Sequence, residues 1–240
     1  MTEMRAQFDR LYMLAACLCI PMFLTTAQAA ASDRVKINAQ SPFLIDRTEV
    51  TIARFKAFVS TSGLKTKAER DGGGMEYSGG WQKRSGWTWR TPYGTLGKPD
   101  EPVAHLTSQE AQQFCKHAGG RLPSAKEWRL AAYTESREQA TGGYRRGKTY
   151  TYPVGNSPEG MNNSRKRHVI AGSTRRGVNG LYDMGANVWE WLADRRGDEA
   201  LTIGDSWWYS AEMTQSSRAQ YKPANFAAIY IGFRCVYDSE

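Results

Sequence analysis

Long apolar runs, thiols and histidines are all scarce in this sequence. The longest apolar run, Leu11 to Leu24, is shorter than the roughly 20 residues a membrane-spanning helix needs, and it contains Pro21. Arg5 and Arg10 lie ahead of most of it and Ala27-Gln28-Ala29 follows it, the pattern of an export signal with a small-residue cleavage site. Residues 1–29 are therefore expected to be a signal peptide, and residues 30–240 a single mature domain in the periplasm or outside the cell. No stable membrane insertion is expected after cleavage. Leu14-Ala15-Ala16-Cys17 resembles a lipoprotein signal, but the apolar run continues straight past the cysteine, which favours cleavage over lipidation.

The four cysteines are Cys17, Cys19, Cys115 and Cys235, and the first two leave with the signal. Two cysteines in an oxidising compartment imply one disulfide, closing a loop of about 120 residues. In the loop-entropy picture that closure is worth on the order of 4–5 kcal/mol, a staple and not a reactive centre. His105, His117 and His168 form no close-spaced ligand pattern. There is no Ser-His-Asp set, no phosphate-binding glycine loop and no three-histidine iron centre, so those routes to catalysis have no residues here. His105 is expected to be a satisfied structural histidine, and His117 lies near a helix C-terminus, where a cation is favoured.

Basic charge is plentiful. The net charge of +8 survives signal removal, because Arg5 and Arg10 cancel against Glu3 and Asp9. It is spread over clusters such as Arg145, Arg146 and Lys148, or Arg165, Lys166 and Arg167, with no nucleic-acid motif around them, so no nucleic-acid partner is expected. These clusters read as solvated loops, or as a surface steering acidic partners. A chain of 240 residues that is 40% hydrophobic supports one good core.

Periodicity places a short strand at Phe43-Leu44-Ile45 and a helix capped by Thr51, with Phe55, Phe58 and Val59 on one face and Gly63 as its stop. Residues 70–97 carry glycine, tryptophan, tyrosine and arginine without a period, and read as a long irregular segment held by Tyr77, Trp81, Trp87, Trp89 and Tyr93. Two capping boxes, Thr107 with Glu110 and Ser124 with Glu127, announce helices that bury Ala111, Phe114 and Cys115, and then Trp128 with Ala131 or Ala132. Val188-Trp189-Glu190-Trp191 alternates like a strand, and Ile231 to Tyr237 forms another. Few helices, few strands and much ordered loop make an irregular α+β domain.

Several stretches, in order, resemble the formylglycine-generating enzyme and sulfatase-modifying factor family. They are residues 43–51; Gly86-Trp87-Thr88-Trp89-Arg90-Thr91-Pro92; Pro102-Val103; Phe114-Cys115; Gly119-Gly120-Arg121-Leu122-Pro123-Ser124 through Trp128; Gly180-Leu181-Tyr182-Asp183-Met184; Asn187-Val188-Trp189-Glu190-Trp191; and Gly232-Phe233-Arg234-Cys235. The resemblance implies a coil-rich C-type-lectin-like fold with a small antiparallel sheet and two or three helices. It also implies the Cys115–Cys235 pairing, and a structural calcium on the side chains of Asp183 and Glu190 with the carbonyls of Ala186 and Val188, hard oxygen ligands of the kind calcium accepts. The competing reading has Asp183 cap a turn and Glu190 pair with an arginine. A second calcium site near Asn162 or Asn163 is not expected, since residues 164–178 contain no acid.

Active members of that family bind copper(I) with two cysteines near the C-terminus and oxidise a substrate cysteine to formylglycine. The corresponding stretch here, residues 206–221, contains no cysteine, and copper(I) selects thiolates, so no copper is expected and formylglycine synthesis by that route lacks its ligands. What remains is a groove: Trp207, Trp208, Tyr209, Ser216, Arg218 and Tyr221 match the lining of the family's substrate cleft and suit recognition of an extended peptide or a protein surface. The first expectation is an exported binding protein with a protein or peptide partner, such as an inhibitor, immunity or accessory protein of a secreted toxin. The alternative is a cysteine-independent oxidoreductase or maturation enzyme acting on an exported peptide or small molecule.

Overall fold

Hydroxyl caps set the helix starts. The computed structural model describes residues 33–215 and 218–239, so the expected signal segment and Ser216 lie outside the described residues. Helix α1 (Ile52–Ser62) begins at Thr51, whose Oγ1 accepts the Arg54 amide, and ends at Gly63 with φ +67°. There a side chain would be strained, and the αL turn satisfies the last carbonyls. A capping box of Thr66 and Glu69 opens the short α2 (Lys67–Arg70), which the sequence reading does not anticipate. The two expected boxes open α3 (Ser108–His117) and α4 (Ala125–Tyr133), each satisfying two otherwise orphaned amides. Among the described residues no helix is long and apolar enough to cross a membrane.

Among the described residues nine short strands form three sheets. Strands β1 (Arg34–Ile37), β2 (Phe43–Asp46) and β9 (Val236–Asp238) make an antiparallel sheet in the order β1-β2-β9. Strands β3 (Gly73–Tyr77) and β4 (Trp81–Ser85) form a hairpin. The third sheet runs β7 (Ala219–Pro223), β6 (Glu199–Ile203), β5 (Trp189–Arg196) and β8 (Ile231–Gly232), with β8 parallel to β5.

Two of these findings correct the sequence reading. Residues 70–97 are not irregular throughout: Gly73–Ser85 is a hairpin closed at Gly79, φ +66°, and Gly80. Its strands carry no apolar alternation because β4 is almost wholly exposed and β3 needs glycine at Gly74, where a Cβ would lie 2.1 Å from the His105 ring. The strand expected over 231–237 is two strands in different sheets, β8 against β5 and β9 against β2, with Phe233-Arg234-Cys235 crossing between them. Strands β6 and β7 are likewise absent from the sequence reading.

The four-stranded sheet divides the interior. Trp189, Trp191 and Ala200 face a core shared with Phe55, Phe114, Phe233 and the disulfide, while Leu192, Leu201 and Ile203 face a second core built on α4 and β1–β2. Period-two alternation along β5 and β6 produces this sorting. The Cys115–Cys235 bond joins α3 to the start of β9, both cysteines fully buried and their Cα atoms 5.5 Å apart. Replacing both with serine is expected to lower the unfolding free energy in urea by about 4–5 kcal/mol, the loop-closure value. A loss below about 1 kcal/mol would remove the staple role.

Candidate functional site

Two places carry the polar and aromatic residues singled out from sequence: a buried charge cluster and an open aromatic cleft. In the first, Arg234 is fully buried, and its Nε and Nη2 donate to both Glu190 oxygens at 2.7–2.9 Å. Its remaining donors reach the carbonyls of Asp46, Arg47 and Tyr182. Trp128 Nε1 also donates to Glu190 at 2.7 Å. Asp183, with φ +56°, accepts the Gly172 amide at 2.6 Å and the Thr174 hydroxyl. Asn187 donates to Glu49 and accepts from Asn162 Nδ2 and the Val169 amide.

This wiring does not fit the calcium shell expected at Asp183, Ala186, Val188 and Glu190. Both Glu190 oxygens are engaged by a guanidinium and an indole, and both Asp183 oxygens by the Gly172–Thr174 loop. Among the described residues no three His, Cys, Asp or Glu side chains converge where they could hold a metal ion. The pairing of Glu190 with an arginine is the arrangement present, and a cation there would have to displace a guanidinium bonded on every side. Burial, then the Asp183 charge, pushes the Glu49 carboxyl well up, and burial raises Asp183 as well. Burial thus disfavours the ionised form of both carboxyls.

The two cysteines among the described residues are the disulfide pair, so neither is a free thiolate. The three histidines are structural. His105, at φ +59° and fully buried, bonds the Pro92 carbonyl at 2.9 Å, and burial pulls its pKa down to about 4. His168 is buried against Tyr93 and Glu101, and His117 packs on Phe58.

The cleft lies on the Trp189 face of the four-stranded sheet. The hairpin contributes Tyr77 and Trp81, β5 contributes Trp189, β7 contributes Gln220 and Lys222, and the approach to β8 contributes Tyr230 and Ile231. Trp208 and Tyr209, from the loop after β6, complete a cavity of about 170 Å³ and also line a wider depression with Arg165, Ser210 and Met213. The hairpin is fixed in place: Met75 bonds the Ala227 carbonyl and the Ile229 amide, and the Tyr230 hydroxyl bonds the Tyr77 backbone. Edge-to-face contacts Tyr77–Trp81, Trp81–Tyr230 and Trp208–Tyr230, at 5.4–6.1 Å, knit the walls together.

Of the residues expected in the groove, Trp208 and Tyr209 line it. Trp207 is buried, stacked on Tyr230, with its indole N–H unpartnered. Arg218 is part-buried and rests on Met213 Sδ. Tyr221 is a correction: on β7 it shares the face of Leu201 and Ile203, packs against the second core and lies under the Arg196 guanidinium. Strand parity therefore sends Gln220 and Lys222 into the cleft and Tyr221 out of it. Lys222 Nζ donates to Thr202 Oγ1 at 2.9 Å and Gln220 Oε1 at 3.0 Å, and sits 3.9 Å from the centre of the Trp189 ring. Burial lowers its pKa to about 8. Asp205, φ +58° and 1% exposed, has two carboxyl oxygens without partners, and burial raises it to about 7. Tyr77, Trp81, Trp189, Gln220, Lys222, Tyr230 and Ile231 are the cleft residues that the sequence reading does not place in the groove.

Over residues 19–239 the sequence matches the family described as the sulfatase-modifying factor enzyme 1-like domain. The formylglycine-generating enzyme of Streptomyces coelicolor is 32% identical over 64% of this chain, and the chain spans 58% of that enzyme's length. The mouse inactive C-alpha-formylglycine-generating enzyme 2 is 27% identical over 81% of this chain and 74% of its own length. A hercynine oxygenase of Mycolicibacterium thermoresistibile is 26% identical over 82% of this chain and 51% of its own. Among solved structures, CarF superposes with a TM-score of 0.61 at 20% identity, covering 87% of this chain and 98% of CarF. PvdO from Pseudomonas aeruginosa does so with 0.59 at 15%, covering 86% and 90%. These likenesses establish the coil-rich C-type-lectin-like fold.

The charge cluster makes two checks available. Because the Glu49 pKa is raised on folding, the folded chain binds a proton that the unfolded chain releases. The associated stability is full below the ordinary carboxylate value and is lost as pH rises through the folded value. Glu49→Gln is therefore expected to match the parent at pH 5 and equal or exceed it at pH 8 in urea unfolding; a loss confined to pH 8 would contradict the assignment. Calorimetric titration with calcium is expected to show no binding heat, and a saturating exotherm or endotherm would restore the calcium reading.

Proposed function

The chain belongs to the sulfatase-modifying factor enzyme 1-like domain family, and on that premise we propose that it is an exported binding protein. It holds an apolar side chain of an extended peptide or protein partner in the aromatic cleft and forms no formylglycine by the copper route. The observation that carries this reading is the placement of exposed aromatics. Among the described residues four large hydrophobic side chains are exposed, and three of them, Tyr77, Trp81 and Trp208, at 42–50% exposure, stand around one cavity. Such a cluster leaves apolar area in water that a partner would cover, and tryptophan and tyrosine are the side chains that most often anchor interfaces.

The missing thiols support the same reading. The family's oxidation needs a thiolate pair for copper(I), and both domain cysteines are committed to the disulfide. A second reading, a thiol-independent oxidoreductase or maturation enzyme acting on an exported peptide or small molecule, draws on Lys222 and Asp205, two groups shifted toward neutrality near the cleft. Relatives named as inactive and as an oxygenase both match this chain, so fold alone does not choose between the readings.

Affinity capture from the exported fraction of the native cell, with the mature chain as bait, is expected to yield a stoichiometric protein or peptide partner. Trp81→Ala and Trp208→Ala should each weaken that complex by roughly tenfold or more, the range of an aromatic anchor. Tyr221→Phe should leave it unchanged. Full affinity in both alanine variants would move the interface elsewhere. Oxygen uptake with a small-molecule extract, in the absence of any captured partner, would favour the enzyme.

A further inference from the structure

Lys222 gives the cleft a charge that its aromatic walls do not explain. We infer that the cavity binds a carboxylate: Lys222 and Gln220 receive the carboxylate of a ligand whose ring-sized apolar group fills the space between Tyr77, Trp81 and Trp208. The inference rests on the binding reading above and names the chemistry of the occupant.

An ammonium group has three N–H donors. Two of those of Lys222 reach Thr202 Oγ1 and Gln220 Oε1, both neutral oxygens, and the Trp189 ring lies beneath the group. One donor direction remains, on a side chain that lines the cavity. The acid that acts on Lys222 through space is Asp205, but both Asp205 oxygens lack hydrogen-bond partners, so it is not the contact anion of the lysine. Burial raises Asp205 to about 7, which also weakens it as a counter-charge at neutral pH. Among the described residues no carboxylate is in contact with the positive charge in the wall, which only neutral oxygens and the Trp189 ring touch.

Gln220 supplies the second donor. Because its Oε1 accepts from Lys222, its amide orientation is set, and its NH₂ group is left to face a ligand from the same strand face. An ammonium and an amide NH₂ two residues apart along β7 can each take one oxygen of a carboxylate. Ala200, opposite Lys222 on β6, leaves room beside the lysine stem. The apolar part of the ligand is bounded by volume: an apolar cavity of about 150 Å³ accepts benzene, and this one is about 170 Å³. The shared chemistry is that of a free aromatic acid or of a chain end terminating in an aromatic or branched residue.

The test uses the mature, disulfide-intact chain and two probes differing only in charge, N-acetyl-L-phenylalanine and N-acetyl-L-phenylalaninamide, with binding read by tryptophan fluorescence and calorimetry. The acid is expected to bind at least tenfold tighter than the amide, about 1.4 kcal/mol. Lys222→Met, which keeps the stem and removes the charge, should abolish the preference for the acid over the amide. Trp81→Ala should weaken both probes alike. A tripeptide ending in phenylalanine that binds tighter than the single residue assigns the ligand to a chain end; equal affinity assigns it to a free acid, and either supports the inference. Equal binding of acid and amide to the parent protein, or a preference that survives Lys222→Met, overturns carboxylate recognition while leaving the aromatic anchor intact. Failure of both probes at millimolar concentration overturns carboxylate recognition, and the capture experiment then decides separately whether the cleft is an interface.

Discussion

The buried pair of Arg234 and Glu190 is the interaction on which the architecture depends. A single guanidinium, with no exposure to water, ties β5 through Glu190, the end of β2 through the Asp46 and Arg47 carbonyls, and the Tyr182 turn. It sits in the crossing between β8 and β9, where the chain leaves one sheet and enters another. Burying two charges is costly unless every lone pair and proton is satisfied, and here each is. Removal of either partner would leave an unmatched charge close to Glu49, whose carboxyl burial and the Asp183 charge already push well up.

The cleft inherits its geometry from that pair. When Glu190 turns toward Arg234, the alternation of the strand turns Trp189 and Trp191 to the opposite side, where Trp191 enters the first core and Trp189 underlies Lys222. The loop after β6 is hung from the same segment, since the Trp207 amide donates to the Asn187 carbonyl at 2.9 Å and the Ala186 amide to that of Gly204. The positive φ angles at Asp183, Ala186 and Asn187 mark the tight path this requires of residues 183–187. A sequence stretch read as a cation shell thus serves as a bracket that sets the cleft loop against the sheet.

Helix starts were legible because a hydroxyl and a glutamate at fixed spacing satisfy the same amides wherever they occur, as at Thr107 and Ser124. The fold class and the Cys115–Cys235 pairing were legible too, from ordered motifs and from the count of thiols. The β3–β4 hairpin was not, because neither of its strands presents an alternating apolar face. In the cleft, the aromatic pair Trp208–Tyr209 could be found from its place in the chain. Tyr221 could not be placed without knowing the parity of a strand whose ends are unmarked. Lys222 was hidden among 32 basic residues. What distinguishes it is a tryptophan 33 positions earlier and an alanine across the strand pair, neither of which is local information.

The outer strand of the hairpin, β4, pairs with β3 alone and leaves its other edge and most of its side chains in water. Its Trp81 nevertheless forms one wall of the cleft. The rim of the cleft, Tyr77 and Trp81, thus stands in the exposed layer, whereas its floor, Trp189, Tyr230 and Ile231, belongs to the first core. A change of turn length at Gly79 and Gly80, which border open space, would reshape the mouth of the cleft while leaving the contacts of Tyr77 and Trp81 with Tyr230 in place. The fold thus offers natural variation, or a protein engineer, a short interchangeable rim on an invariant frame.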